Sequence, residues 1–481
     1  MATDLNAARL AARLQRIPTT RVTWMLVMVA AGALVIEAMD IGSLSIILPG
    51  VKAFWHLAPA QVGTLAASSA LGVAIGMIPA GRLADRFGRK RLLVGGVIWF
   101  CAGTILSAAS PNYETLVILR GLSGLGMAPA FIMPYSIISE FVSSTTRTAF
   151  AGLLETALGI GYLLPPVLGI VVIPNFAPDV SWRLFLVIAG LPVVYVWVIL
   201  RHLPESPRWL SRVGRHAEAD QIVSEIERRV EAVTGKKLPE PVVPVELAAI
   251  ITARQPPPTL AAFGVIWRPP YLRRTVAMII GALSTFSMFY VGVNYVPSLF
   301  IERHVAVTNA FLFTLIISSV QIPGKILNGL LAERVGRKAI YLIYSIPAAI
   351  GAYEFGQADG ELAMLGWASL FLFCASGSAP SYKMWYAEQY PTPIRATGQA
   401  TVEAIGGRLI GGVIWTMMFP IIVAAHGMAS TMALLAVMAI VASLIVTLFA
   451  PETYRRSVED LEATAISDAG QGGPTKPVRV V

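Results

Sequence analysis

The chain has 481 residues, of which 56% are hydrophobic and 14% charged, and its mean hydropathy is +0.68. A soluble domain carries about a quarter charged residues, so this balance excludes an ordinary soluble globular fold and makes the bilayer the solvent. The formal net charge of +9 does not point to nucleic acid, because Lys and Arg crowd one set of loops and read as an orientation signal.

In chain order, a polar tail over 1–21 carries Arg9, Arg13, Arg16 and Arg21. Six apolar runs follow near 22–46, 59–80, 92–110, 115–138, 149–172 and 184–201. Each is close to the ~20 residues needed to cross a ~30 Å hydrocarbon core. The segment 203–272 changes character: Glu218, Asp220, Glu225, Glu227, Arg228, Arg229 and Glu231 recur at helical spacing, and the proline-rich stretch 239–258 reads as a linker. A second set of runs lies near 274–298, 308–331, 339–357, 363–387, 397–420 and 428–450. The last part, 451–481, reads as a short amphipathic segment and a disordered tail.

These runs predict an all-α membrane protein with twelve transmembrane helices in two six-helix bundles, 22–202 and 273–450. Loops of the opposite set hold little beyond Lys52, Arg183 and Arg303, which places both termini and the long central segment in the cytoplasm. No cleavable signal is expected, since the basic tail leads straight into a full-length span. Cys101 and Cys374 both fall inside spans, so neither a disulfide framework nor a metal site is indicated, and no cofactor is expected.

The stretch 81–91 (GRLADRFGRKR) returns 248 residues later as 329–339 (GLLAERVGRKA). The same displacement carries Glu140, Arg147, Glu155 and Pro49 onto Glu388, Arg395, Glu403 and Pro297, so the chain is a tandem duplication. Gly81, Asp85, Arg86, Gly88 and Arg89, with Glu333, Arg334, Gly336 and Arg337, gather charge where two helices turn back at the cytoplasmic face. Glu140 with Arg147, and Glu388 with Arg395, add partners, and together these residues are candidates for a gate whose ion pairs form and break. Gly121, Gly124, Gly126, Pro129 and Pro134 in the fourth span serve either close helix packing or bending.

Ionisable groups inside spans are functional candidates by default. Asp40 lies about 27 Å above a first span that starts near 22, and Arg120 about 9 Å into the descending fourth span, so both occupy the outer third of the membrane and are able to pair. Glu37, one turn from Asp40, is either a second proton site or faces a polar crevice. Arg408 stands near the midplane of the eleventh span, as counter-ion to an anionic substrate or as partner of Glu403. Lys325 and Lys383 read as snorkelling or pairing with loop acids, and Glu155 and Glu403 as structural groups at the gate. Phe286, Phe289, Tyr290, Asn294 and Tyr295 in the seventh span, with Tyr382 and Trp385 in the tenth, either pack or bind a ring.

The repeated loop is similar to the signature of the major facilitator superfamily, over nearly the whole chain. The stretches 204–210 (PESPRWL), 451–453 (PET) and 390–398 (YPTPIRATG) resemble the branch that holds sugar porters, organic-ion transporters and bacterial nicotinate or aromatic-acid carriers. That resemblance implies alternating access, and it implies that Asp40 and Arg120 match the acidic residue and arginine that couple protons in symporters of the branch; the other reading of the pair is a static tie between two helices. Sugar porters carry paired glutamines in the seventh helix, whereas 281–295 (GALSTFSMFYVGVNY) holds none, which favours a planar or amphipathic substrate.

The expectation is therefore proton-coupled uptake of a small organic anion, such as an aromatic or heteroaromatic carboxylate, by a monomer in a bacterial inner membrane. Its partners are substrate, proton and lipid, with no nucleic acid. Alternatives are a sugar or polyol symporter, a drug or metabolite exporter and, remotely, a non-transporting sensor. No nucleophile–base set, metal-ligand spacing or phosphate-cradling loop supports an enzyme.

Overall fold

The computed structural model describes residues 9–10, 12–142, 146–241 and 259–454, and among these there is no strand. The linker 242–258 and the tail beyond 454, including the expected C-terminal amphipathic segment, lie outside the described residues.

Two compact units form, one of Met1–Gln255 with Val293–Ser319, the other of Pro256–Gly292 with Val320–Val481. The first contains α1 (Arg21–Trp55), α2 (Pro59–Phe87), α3 (Arg89–Ser107), α4 (Tyr113–Phe141), α5 (Phe150–Asn175) and α6 (Pro178–His202). Helix ends outrun the apolar runs because backbone bonding does not stop at the edge of the hydrocarbon: α1 continues through Pro49 and ends where His56 takes a left-handed φ of 50°. A side-chain oxygen of Asn112 accepts the Thr115 N–H at 2.9 Å and caps α4. A Cβ on Gly72 would stand 2.0 Å from the Gly121 carbonyl oxygen and one on Gly124 2.2 Å from that of Ser69, so α2 and α4 touch backbone to backbone. The absence of a side chain at these glycines lets the two helices approach closely, as small residues do between helices in lipid.

In the second half of the chain lie α7 (Leu272–Glu302), α8 (Val307–Val335), α9 (Arg337–Gln357), α10 (Glu361–Glu388), α11 (392–426) and α12 (428–449). Ten described helices are long and apolar enough to cross a membrane; the last, Thr397–Phe449, holds two spans separated at Gly427, whose φ is 80°. Together with the 21-residue α9, this accounts for all twelve expected spans. Hydropathy does not reveal that α10 is interrupted at Ser378, or that Glu403–Ile414 in α11 is wound as a π-helix.

Val293–Ser319, the end of α7 and the start of α8, belong to the first compact unit. There Lys52 bonds Glu302 at 2.7 Å, and the Phe311 ring lies against Gly169. The N-terminal tail is also more than a run of charge: residues 9–10 and 12–15 are helical, and Leu10, Leu14 and Ile17 are buried in one cluster with Val223, Ile226 and Val230 of helix His216–Thr234. Arg13 donates to Glu227 at 3.0 Å, to Ser224 at 2.8 Å and to Asp220, while Arg16 donates to Glu227 at 2.6 Å.

Candidate functional site

The repeated loops build the same charge cluster twice, once in each unit. In the α2–α3 turn Gly88 has φ 99°, and in the α8–α9 turn Gly336 has φ 92°, a region that penalises any side chain. At both turns a carboxylate from the motif after the sixth or twelfth span sits over the next helix start. Glu205 accepts the Lys90 N–H at 3.0 Å; Glu452 accepts those of Arg337 at 3.0 Å and Lys338 at 2.9 Å. A Cβ on Gly88 would meet the Glu205 carboxylate at 2.4 Å and push it off the helix start, which adds to the preference for glycine set by the positive φ. These anions complement the unpaired N–H groups and positive dipole of a helix N-terminus.

The remaining bonds repeat as well. Arg89 pairs with Glu140 at 3.3 Å and Arg337 with Glu388 at 3.0 Å; Ser206 and Thr453 donate to the same two glutamates; Lys90 and Lys338 donate to the carbonyls of Leu200 at 2.8 Å and Thr447 at 2.7 Å. Among the described residues, the ion-pair partners of Glu140 and Glu388 are therefore the loop arginines Arg89 and Arg337. Arg395 instead donates to the Tyr390 carbonyl at 3.1 Å, and the side chains of Arg147 and Glu333 lie outside the described residues. Asp85 pairs with Arg212 and, at 3.8 Å, with Arg89. Arg86 is exposed over the Phe87 ring, Arg334 is exposed, and Gly81 is in open space.

Burial alone raises the Glu452 carboxyl, but backbone N–H groups of Lys338, Tyr454, Arg337 and Thr453 outweigh it and hold the carboxyl below its ordinary 4.5. Burial also acts upward on Glu227, where the Arg13 and Arg16 guanidiniums prevail and the net shift is again downward. Both groups are depressed in the fold, so the stability they contribute is present above pH 4.5 and is lost as pH falls through their folded values. In detergent, the Tm is expected to hold from about pH 7 to about pH 5 and to fall below that, with a shallower acid limb in Glu452→Gln and in Glu227→Gln. An acid limb unchanged by either substitution would sink this assignment.

Asp40 and Arg120 are 0% exposed and form the pair that their depths allow. The Arg120 guanidinium donates to both Asp40 carboxylate oxygens, at 3.2 and 3.1 Å, and to the Asp40 carbonyl at 3.3 Å. Sequence reasoning missed Thr104 of α3, whose hydroxyl donates to Asp40 at 2.6 Å and accepts from Arg120 at 3.1 Å, and Ser123, whose hydroxyl is 3.2 Å from that of Thr104. A hydroxyl inside a helix is easily satisfied by its own backbone, so the sequence carries no signal for such a contact. Glu37 is buried at 1% exposure.

Arg408 is 5% exposed on the π-wound part of α11. It donates to the Tyr290 hydroxyl at 2.8 Å, its guanidinium carbon lies 5.9 Å from the centre of the Phe286 ring, and a nitrogen approaches Glu403 at 3.7 Å. Four glycines allow this approach. A Cβ on Gly406 or Gly411 would strike the carbonyls of Ile279 and Leu283, and one on Gly407 or Gly412 the rings of Phe286 and Tyr290. Phe289 meets Tyr290 edge to face at 5.5 Å.

Other expected binding residues are placed differently. Tyr382 and Trp385 are 1% and 0% exposed in a cluster with Tyr341 and Tyr386. The Tyr382 hydroxyl donates to the Met278 carbonyl at 2.6 Å and the Trp385 indole to that of Pro451 at 3.0 Å, so the tenth-span aromatics form packing rather than a face beside Arg408. Asn294 and Tyr295, each 3% exposed, fall in the first unit. Lys325 is buried at 7% exposure and Lys383 is half-buried. Two tyrosine–glutamate pairs escaped prediction: Tyr135 donates to Glu155 and Tyr386 to Glu403, both at 2.9 Å.

Comparison with known proteins extends these observations. Residues 38–465 match the family model described as "Sugar (and other) transporter". The chain is 29% identical over 458 residues to the niacin transporter NiaP of Acinetobacter baylyi, covering 94% of this chain and 99% of that protein. It is 27% identical over 410 residues to the 4-hydroxybenzoate transporter PcaK of the same organism, covering 82% and 86%. Among solved structures, the xylose transporter XylE of Escherichia coli in a partially occluded inward-open conformation aligns with a TM-score of 0.73 at 19% identity, covering 91% of this chain and 100% of that one.

Proposed function

Because the chain belongs to the sugar (and other) transporter family of the major facilitator superfamily, we propose that this multi-pass membrane protein imports an aromatic or heteroaromatic carboxylate together with a proton. The observation that carries the reading is Arg408: a guanidinium 5% exposed, within 2.8 Å of a tyrosine hydroxyl and beside a phenylalanine ring. Such a group offers a carboxylate two charge-assisted N–H donors, and Phe286 offers the attached ring a flat apolar partner. The absence of glutamine from 281–295 removes the amide pairs suited to sugar hydroxyls. Relatives named for niacin and 4-hydroxybenzoate transport support the same substrate class.

Proton handling is assigned to Asp40. In the cycle, its carboxylate is charged while Arg120 and Thr104 donate to it, and it takes a proton when Arg120 draws away, because a buried carboxylate without a counter-charge is too costly to remain ionised. Substrate and proton are carried by alternating access, the duplicated loop clusters opening and closing the cytoplasmic side. Both termini are cytoplasmic, in a bacterial inner membrane, and the working unit is a single chain.

Purified protein in liposomes with an inward-directed proton gradient is expected to concentrate nicotinate or 4-hydroxybenzoate, and an uncoupler is expected to collapse that accumulation. Accumulation of xylose with neither acid transported would overturn the substrate assignment.

A further inference from the structure

Glu403 and Arg408 are five residues apart. In an α-helix that spacing turns through roughly 140°, which puts the two side chains on nearly opposite faces. A π-helix bonds i to i+5, so the same spacing returns to one face about a turn later. The 3.7 Å approach of Arg408 to Glu403 therefore depends on the π winding of Glu403–Ile414. The glycine pairs at 406–407 and 411–412 admit that winding against Ile279, Leu283, Phe286 and Tyr290. Glu403 has a second holder, since Tyr386 of α10 donates to its other carboxylate oxygen at 2.9 Å. In the first half the residue matching Arg408 is Ile160, so Glu155 with Tyr135 has no arginine at that spacing.

We propose that Glu403 is a positioning residue that acts as an internal counter-ion: it holds Arg408 when no substrate is bound and yields it to the substrate carboxylate. The inference rests on the reading of Arg408 as the anion-binding group. Two anions cannot share one guanidinium without repulsion, so the incoming carboxylate displaces Glu403, and Tyr386 keeps the displaced group hydrogen-bonded. Competition of this kind weakens substrate binding and speeds release. It also confines the competition to anions, because a neutral amide of the same shape draws little from the Arg408 charge and does not contend with Glu403 for it.

The test uses the full chain in detergent with nicotinate and 4-hydroxybenzoate as acid probes and nicotinamide as the neutral isostere, read by thermal shift and by isothermal titration. In Glu403→Gln the acids are expected to bind roughly fivefold or more tighter, with nicotinamide unchanged, as for a removed competitor. Tyr386→Phe is expected to shift the acids the other way, because Glu403 then depends on Arg408 alone. In liposomes Glu403→Gln is expected to lower both KM and kcat, since release loses its returning counter-ion. Acid affinity unchanged or weakened in Glu403→Gln overturns the exchange, and so does a parallel change for nicotinamide, which marks a packing defect. If Arg408→Gln binds the acids like wild type, or if neither acid stabilises the wild-type protein, the reading of the anion site fails and the exchange fails with it. Loss of acid binding in Arg408→Gln without tightening in Glu403→Gln removes the exchange alone.

Discussion

Reconstituted Asp40→Asn protein is expected to equilibrate its substrate across the membrane and no longer concentrate it under a proton gradient. Asparagine keeps the shape of the side chain and accepts from Thr104, but it has no carboxylate to load and discharge. Exchange of labelled for unlabelled substrate moves no net proton and is expected to persist. The substitution also leaves Arg120, 0% exposed, without its counter-charge. Breaking a buried pair in this way costs about 3–5 kcal/mol, so a lower Tm is part of the expected result. A double variant separates the two effects: Asp40→Asn with Arg120→Gln removes both charges and is expected to recover much of the Tm and none of the accumulation. Full proton-driven accumulation by Asp40→Asn would show that coupling lies elsewhere and that the Asp40–Arg120 pair is a static tie between α1 and α4.

The second large effect is expected at Arg408. A hydrogen bond to a charged group is worth about 1.5–3 kcal/mol, so Arg408→Gln should weaken nicotinate by roughly ten- to a hundredfold. Nicotinamide should change by no more than about twofold, since it lacks the charge that Arg408 selects. Arg408→Lys is expected to fall between, because an ammonium is a point charge without the planar pair of donors. Folding is less exposed to this change than at Asp40: Glu403, left without the guanidinium, keeps the Tyr386 bond at 2.9 Å and is 18% exposed. Equal losses for acid and amide would mean that Arg408 shapes the site without reading charge.

The Asp40–Arg120 pair was legible because helical rise is nearly constant, and depth follows from counting residues along two spans. What counting misses is the angle around each helix axis. Thr104 bonds Asp40 at 2.6 Å only because α3 turns that face toward α1, and nothing in an apolar run marks one hydroxyl as facing inward. The tenth-span aromatics depend on the same angle: the polar atoms of Tyr382 and Trp385 reach the carbonyls of Met278 and Pro451. At the loops, the pairing of Glu140 with Arg89 depends on the turn at Gly88, which brings the two together.

Membrane class, the number of spans, the duplication and the glycines of its turns follow from composition and pattern, because each depends on residues close along the chain or on a repeat visible in it. The identity of the contacts around the charges depends on packing between distant segments. Glu452 caps α9 from 115 positions beyond Arg337, and Arg408 meets Tyr290 across 118. The π winding of α11 is the clearest case: four glycines hint at a close approach, but only the helix packed against them determines that Glu403 and Arg408 share a face.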